Sequence, residues 1–194
     1  MAVGRLVAAG RLGLGDKALP FVRELLPGLD PRIEIGQLLA HTSGMGDYCH
    51  EEEEDADYAE IWRDRPCYRY SEQSDFVPLF RDDPQAFAPG ESFRYNNAGF
   101  IVLALVVESA TGERFADFAS REVLAAAGMR SSGYWRLDEL PFGCATGYLD
   151  PPRGKAAASR RANFYSIPVA SGADGGAFSC LADLDSLWAA LLSG

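Results

Sequence analysis

The segment from Phe87 to Phe100 reads FAPGESFRYNNAGF, and the apolar run that it enters continues to Ala110. The run from Ala98 to Ala110 is rich in β-branched residues, which is also typical of a buried strand. Its length, the Asn pair before it and Gly112 after it favour a helix instead. We therefore expect a buried central helix, with the preceding segment turning into its amino-terminal end.

Apolar residues recur at helical spacing on both sides of this run. The predicted helices lie at about 2–9, 34–41, 115–126 and 181–192, with one short helical turn around 21–26. A further predicted helix carries Phe76, Leu79 and Phe80 and ends before Pro84. Residues 129–178 are rich in Gly and Pro and are predicted as loops with a small hairpin or two. The sequence thus predicts a mainly α chain with a few short strands.

We expect one domain over residues 1–194. Residues 1–128 would form a helical region, 129–178 a loop and short-strand region, and 179–194 a terminal helix. Ser71 and Ser74 are the predicted caps of the helix that carries Phe76, because a Ser side chain accepts a hydrogen bond from a free backbone N–H.

An acidic run from Glu51 to Asp55 is predicted to open an exposed helix, with Ala59 and Trp62 as its inner edge. A calcium site is the alternative interpretation. The sequence does not favour it, because the oxygen-ligand spacing of a known calcium loop is missing.

The composition excludes several classes of partner. The chain has 194 residues, of which 47% are hydrophobic, as expected for a globular domain with its own core. A net charge of −10 would repel the phosphates of nucleic acids. The longest uninterrupted apolar stretch, Phe100 to Val107, has eight residues, whereas a membrane-spanning helix needs about 20. We expect neither a nucleic-acid partner nor a membrane span.

The sequence also predicts no metal and no cofactor. The two histidines, His41 and His50, lack helical ligand spacing, and the cysteines contain no C-x-x-C pair. The cysteines are Cys49, Cys67, Cys144 and Cys180. No export signal follows Met1, so extracytoplasmic and cytoplasmic locations both stay open.

Tyr95 and Asn97 are the candidate site residues. A phenol held near a cation loses its proton more easily and can serve as a general base. An amide two positions later offers both a donor and an acceptor to a substrate amide. The alternative is that the two residues form a helix cap with an aromatic plug.

The sequence around this triplet resembles the Y-x-N motif of the serine β-lactamase and penicillin-binding-protein-like family, in its class C, D-alanyl-D-alanine carboxypeptidase and esterase branch. Other family landmarks follow in the same order, as in IGQLLAHTSG at 35–44 and ESATG at 108–112. Gly128-Met129 and GGAFS at 175–179 complete the series. The resemblance runs from about residue 3 to residue 192.

The resemblance implies acyl transfer on a lactam, D-Ala peptide or ester, as small-molecule or peptide substrates. In the family, a Ser in a Ser-x-x-Lys motif attacks the carbonyl, the Lys activates it, and the Tyr shuttles the proton. Tyr95 would then be catalytic and Asn97 would bind substrate. No Ser in this chain is followed by Lys three positions later, so the nucleophile and the Lys have no counterpart here.

We therefore expect the chain to correspond to the central, mainly helical part of the family's α/β fold. It would lack most of the antiparallel sheet and would be inactive by itself. Either a longer parent protein is the active serine hydrolase, or the chain is a non-catalytic binding or interaction module. Apolar surface left exposed by a missing sheet would favour self-association.

Two further motifs receive structural interpretations. His41 lies beside a turn, where a lone His is more often satisfied locally than catalytic. Gly175 and Gly176 could form an anion-binding nest, but close backbone packing before the last helix is the preferred interpretation.

Overall fold

The computed structural model describes residues 1–49, 61–149 and 160–193, and helices dominate these ranges. The α-helices are Ala2–Ala8, Leu19–Val22, Ile35–Leu39, Ala98–Thr111, Phe115–Ala119 and Leu181–Ser193. Shorter turns of 3-10 helix lie at Cys67–Arg69 and Gln73–Leu79, and a π-helical turn at Ser120–Ala125. Strands Tyr148–Leu149 and Arg161–Ala162 pair antiparallel, with Tyr148 opposite Ala162. The prediction of a mainly α chain with few short strands is confirmed.

The central helix, Ala98–Thr111, organises the core. Nine of its 14 residues are buried, so it is apolar around most of its circumference. A helix of this kind must be surrounded by other elements. It packs against the helices Ala2–Ala8, Leu19–Val22 and Ile35–Leu39 and against the 3-10 helix Gln73–Leu79. The preference for a helix over a strand in this run is therefore correct.

The central helix ends at Gly112, whose φ of 73° lies in the left-handed region. Its N–H donates to the carbonyl oxygen of Glu108 at 2.8 Å, which satisfies one of the terminal acceptors. Glycine adopts this conformation without the steric cost that a Cβ brings.

Gly112→Ala is expected to lower the free energy of unfolding by about 1–2 kcal/mol, because alanine resists positive φ. Gly4→Ala is the matched control, since Gly4 lies inside the helix Ala2–Ala8 and a Cβ there would meet no atom within 4 Å. That control should be neutral or stabilising. Urea denaturation of both variants measures the difference, and equal stabilities would contradict the prediction.

The α-helix predicted to follow Ser71 and Ser74 and to end before Pro84 is wrong in type and in its caps. The segment forms a 3-10 helix at Gln73–Leu79 with Pro78 inside it. Proline has no N–H to donate to the α-helical ladder, which explains the tighter, shorter turn. The cap is a reciprocal pair of acidic residues, Glu72 and Asp75, rather than Ser71 or Ser74.

Other predicted boundaries shift by a few residues. The turn expected around 21–26 lies at Leu19–Val22, with Pro20 in its first turn. The helix expected at 34–41 spans Ile35–Leu39, because His41 adopts a positive φ that ends it. The helix expected at 115–126 changes from α to π at Ser120. Thus the elements were predicted more accurately than their ends.

The acidic run at 51–55 lies outside the described residues. Trp62, predicted as the inner edge of that helix, is buried, and its ring packs edge-on against Tyr70 at 4.8 Å and Phe76 at 6.3 Å. The end of the segment is therefore anchored in the core.

Candidate active site

Tyr95 lies on an aromatic platform just before the central helix. Its ring stacks on the imidazole of His41, with the ring centroids 4.5 Å apart. His41 stacks in turn on Phe100 at 5.2 Å, so the imidazole contacts both rings. Tyr95 is 39% exposed, which leaves its side chain accessible to solvent. The platform holds the ring while the side chain stays within reach of a ligand.

His41 itself has a backbone φ of 57°, which is uncommon for a residue other than Gly. Its Nδ1 accepts the backbone N–H of Asn96 at 3.0 Å, and its carbonyl oxygen accepts the N–H of Arg94 at 3.0 Å. These contacts join the turn after Ile35–Leu39 to the segment that carries Tyr95. They agree with the structural interpretation of His41.

The amino-terminal end of the central helix is capped by Asp47 and Asn96. The Asp47 carboxylate accepts the N–H of Asn97 at 2.8 Å and that of Ala98 at 2.9 Å. Asn96 Oδ1 accepts the N–H of Gly99 at 2.6 Å, and its Nδ2 donates to the carbonyl oxygen of Met45 at 3.0 Å. Three of the N–H groups that a helix leaves free are thereby satisfied.

Asn97 consequently has no capping role. Its side chain makes no cap hydrogen bond to its own helix. It is buried, at 5% exposure, and lines a cavity of about 240 Å³. The capping part of the alternative interpretation is therefore wrong, because Asn96 and Asp47 accept these N–H groups, while its aromatic-plug part stays a prediction.

Tyr95 and Asn97 lie in different surroundings. Asn97 lines the 240 Å³ cavity, whereas Tyr95 is absent from that cavity's described lining and lies on the His41 platform. Their catalytic and binding roles stay predictions. The geometry adds that Tyr95 is accessible to solvent and that Asn97 lines a partly open cavity.

The structure places two carboxylates near Asn97 that the sequence analysis did not identify as site residues. Asp47 is buried, and desolvation raises its pKa although backbone N–H groups of Ala98 and Asn97 oppose the shift. Asp174 lines the same cavity as Asn97, and its Oδ2 accepts the hydroxyl of Tyr48. Burial raises the pKa of Asp174 to about 6, with a further contribution from the nearby charge of Asp47.

Asp174 should make stability depend on pH. Its carboxyl titrates near 3.8 when unfolded and near 6 when folded, so the folded chain holds the proton longer between those values. The free energy of unfolding should therefore fall from about pH 4 to pH 6, by up to about 3 kcal/mol from this group, and then level off.

Asp174→Asn should remove that contribution. The free energy of unfolding of the variant should therefore rise relative to that of the wild type as the pH increases from about 4 to 6. Urea denaturation of both proteins at several pH values measures it. Asp138→Asn is the control, because the guanidinium of Arg136 lowers the pKa of Asp138 and the contribution there has the opposite sign. Parallel curves for the wild type and Asp174→Asn would contradict the assignment.

Gly175 and Gly176 lie where close packing was expected. A Cβ on Gly176 would stand 2.7 Å from Ser171 Oγ, and the φ of Gly176 is 98°. Ser171 Oγ donates to the carbonyl oxygen of Gly176 at 2.5 Å, which closes this loop on itself. The contacts favour the packing interpretation of the glycine pair.

Among the described residues, no group of three or more His, Cys, Asp or Glu side chains could hold a metal ion. The four cysteines all fall within the described ranges and are free thiols. No helix in the described part of the chain is long and apolar enough to cross a membrane.

Apolar surface is concentrated at the last helix, Leu181–Ser193. Leu181, Trp188 and Leu192 are exposed there, and an apolar groove of about 410 Å³ lies between this helix and the helix Ala2–Ala8. Surface of this kind is often covered by another segment or chain. Self-association stays a prediction.

Comparison with known proteins gives relatives that include penicillin-binding proteins and an esterase. The solved structure of a penicillin-binding protein from Bacillus halodurans has a TM-score of 0.89 and 42% identity, over 99% of this chain and 56% of that one. Esterase EstB of Burkholderia gladioli is 34% identical over 89% of this chain and 43% of the esterase. Penicillin-binding protein 4* of Bacillus subtilis (strain 168) is 28% identical over 69% of this chain and 29% of that protein.

The chain therefore spans about half or less of the length of these relatives. The Beta-lactamase family model matches residues 1–194. The motif series from HTSG to the glycine pair had predicted this relationship, and the comparisons confirm it. The chain belongs to the Beta-lactamase family.

Proposed function

We propose that this chain is the helical part of a serine hydrolase that transfers an acyl group from a lactam, a D-Ala peptide or an ester. In the complete protein, a Ser-x-x-Lys motif would supply the nucleophile, and Tyr95 would carry the proton to the leaving group. Asn97 would hold a polar group of the substrate through its amide. Penicillin-binding and esterase relatives support this reaction class.

One observation carries the assignment of the site. Capping of the central helix rests on Asp47 and Asn96, so neither Tyr95 nor Asn97 is needed to satisfy its free N–H groups. Tyr95 is instead positioned by ring stacking and remains exposed, and Asn97 faces a cavity. A tyrosine and an amide that are positioned but not used for capping are available for a substrate.

The test compares this chain with the product of the same reading frame extended upstream of Met1. The extended product should contain Ser-x-x-Lys within about 20 codons, by the family spacing, and should be labelled by a fluorescent penicillin or hydrolyse p-nitrophenyl acetate. The 194-residue chain should do neither, because attack on the carbonyl needs the nucleophile.

Two results would overturn the proposal. An upstream frame without Ser-x-x-Lys would favour the non-catalytic module, and labelling of the 194-residue chain would mean that the nucleophile is a different residue. Mass spectrometry of the labelled peptide identifies the acylated side chain in either protein.

A further inference from the structure

The cavity beside Asn97 combines an apolar wall with one charged group. Leu137, Ile167 and Phe178 contribute the apolar side, and Asn97 and Asp174 contribute polar groups. Within the described part of its lining, Asp174 is the one charged side chain. A small ligand site typically has this composition, with apolar walls and a few convergent polar groups that orient the ligand.

The charge of Asp174 is not neutralised by a cation in the described ranges. Its hydrogen bonds come from the neutral hydroxyl of Tyr48 and from backbone N–H groups, including that of Gly175. The ion pairs among the described residues lie elsewhere and do not include it. The nearest titratable groups that influence it are Tyr48 and Asp47, and the Asp47 carboxylate adds further negative potential.

The position of the Asp174 carboxylate is closely defined. A Cβ on Gly172 would stand 2.2 Å from Asp174 Oδ1, so this oxygen lies directly against the Gly172 backbone. Oδ2 is engaged by Tyr48. A hydrogen bond thus holds Oδ2, while Oδ1 lies against the backbone, and Asp174 presents an acceptor to the cavity.

We propose that this cavity is a subsite for the part of the substrate that carries a primary ammonium group next to an apolar side chain, with Asp174 binding the ammonium group. The inference rests on the proposed function, in which Asn97 holds the reacting part of the same substrate. The apolar wall of Leu137, Ile167 and Phe178 receives the side chain, and Asp174 accepts an N–H from the ammonium.

The geometry favours an ammonium group over other cations. A metal ion needs several ligands, and Asp174 belongs to no group of three or more His, Cys, Asp or Glu among the described residues that could hold one. A guanidinium prefers a two-pronged contact with both carboxylate oxygens, but Tyr48 and Gly172 already occupy their surroundings. A compact ammonium needs one accessible lone pair and gains a charge-assisted hydrogen bond.

The test measures binding of 2-phenylethylamine and of its neutral analogue 2-phenylethanol to the ¹⁵N-labelled 194-residue chain by NMR titration. At pH 7.5, the amine should bind at least about tenfold more tightly and should shift the amide signals of Gly172, Gly175 and Gly176. Asp174→Asn should abolish the preference for the amine. Glu139→Gln, a carboxylate in a neighbouring cavity, should leave it unchanged.

Dependence on pH gives a second readout that needs no variant. The ammonium and the proton compete for Asp174, so the affinity for the amine should fall about tenfold for each unit of pH below 6 and stay level above it. The affinity for the alcohol should not follow this course.

Equal affinities for the two probes, an unchanged preference in Asp174→Asn, or no shift of the three glycine signals would each overturn the subsite. None of these results bears on acylation by a penicillin or ester, which tests the proposed function separately. Conversely, a failure of acylation in the extended product would leave the measured ammonium preference in place but remove its catalytic meaning.

Discussion

Tyr95→Phe is expected to lower kcat/KM for ester or penicillin turnover by about 100-fold or more in the extended product that carries Ser-x-x-Lys. The substitution removes the hydroxyl that would move the proton to the leaving group. It keeps the ring, which stacks on His41 at 4.5 Å. The free energy of unfolding should therefore change little, because the side chain is 39% exposed and its packing is retained.

The control is Tyr68→Phe, which removes the hydroxyl of an exposed tyrosine in the 3-10 helix Cys67–Arg69. Steady-state kinetics and urea denaturation of the three proteins separate loss of chemistry from loss of fold. A Tyr95→Phe enzyme within about threefold of wild type would remove Tyr95 from the mechanism.

The core of this fold was predictable because its signals are local. The central helix shows in its length, in the Asn pair and in Gly112, all of which lie within one short segment. The last helix, Leu181–Ser193, was likewise predicted from its own residues. By contrast, the segment 71–80 has the same apolar spacing whether it forms an α-helix or a 3-10 helix. Pro78 and the acidic pair Glu72 and Asp75 decide the outcome.

The candidate site was predictable only in part, for a related reason. Tyr95 and Asn97 share one motif, so a local pattern could find them. Asp47 acts on a helix end 50 residues later in the sequence, and Asp174 meets a hydroxyl 126 residues away. Neither pairing leaves a trace in the spacing of nearby residues, since each depends on how the chain brings distant segments together.

Asp47 stabilises the fold through its hydrogen bonds rather than through its negative charge. Desolvation raises the pKa of Asp47 above its ordinary value, so the negative charge itself is not favoured by its surroundings. What the carboxylate provides is a set of acceptors for buried N–H groups of Tyr48, Asn97 and Ala98. An unsatisfied buried donor costs about 1–3 kcal/mol, so the acceptors outweigh the charge.

Asp47→Ala should accordingly lower the free energy of unfolding by about 3 kcal/mol or more, since it leaves several buried donors without an acceptor. Asp47→Asn should lower the free energy of unfolding by about 1 kcal/mol, because the amide oxygen of Asn still accepts one N–H although the carboxylate charge is removed. Asp16→Ala is the matched control, an exposed Asp whose Oδ2 accepts the N–H of Gly13 at 2.7 Å. It should lose less than about 1 kcal/mol, because water can replace the acceptor there.

Urea denaturation followed by far-UV circular dichroism, analysed with a common slope, orders the three variants. Hydrogen exchange at Asn97 and Ala98 adds a local readout, since these two amides should lose protection first in Asp47→Ala. If Asp47→Ala were as stable as Asp16→Ala, the carboxylate would not be the cap that holds this helix end. The platform of Tyr95 and the cavity of Asn97 would then be positioned by other contacts of the turn at 41–47, such as those that His41 and Met45 make with Asn96.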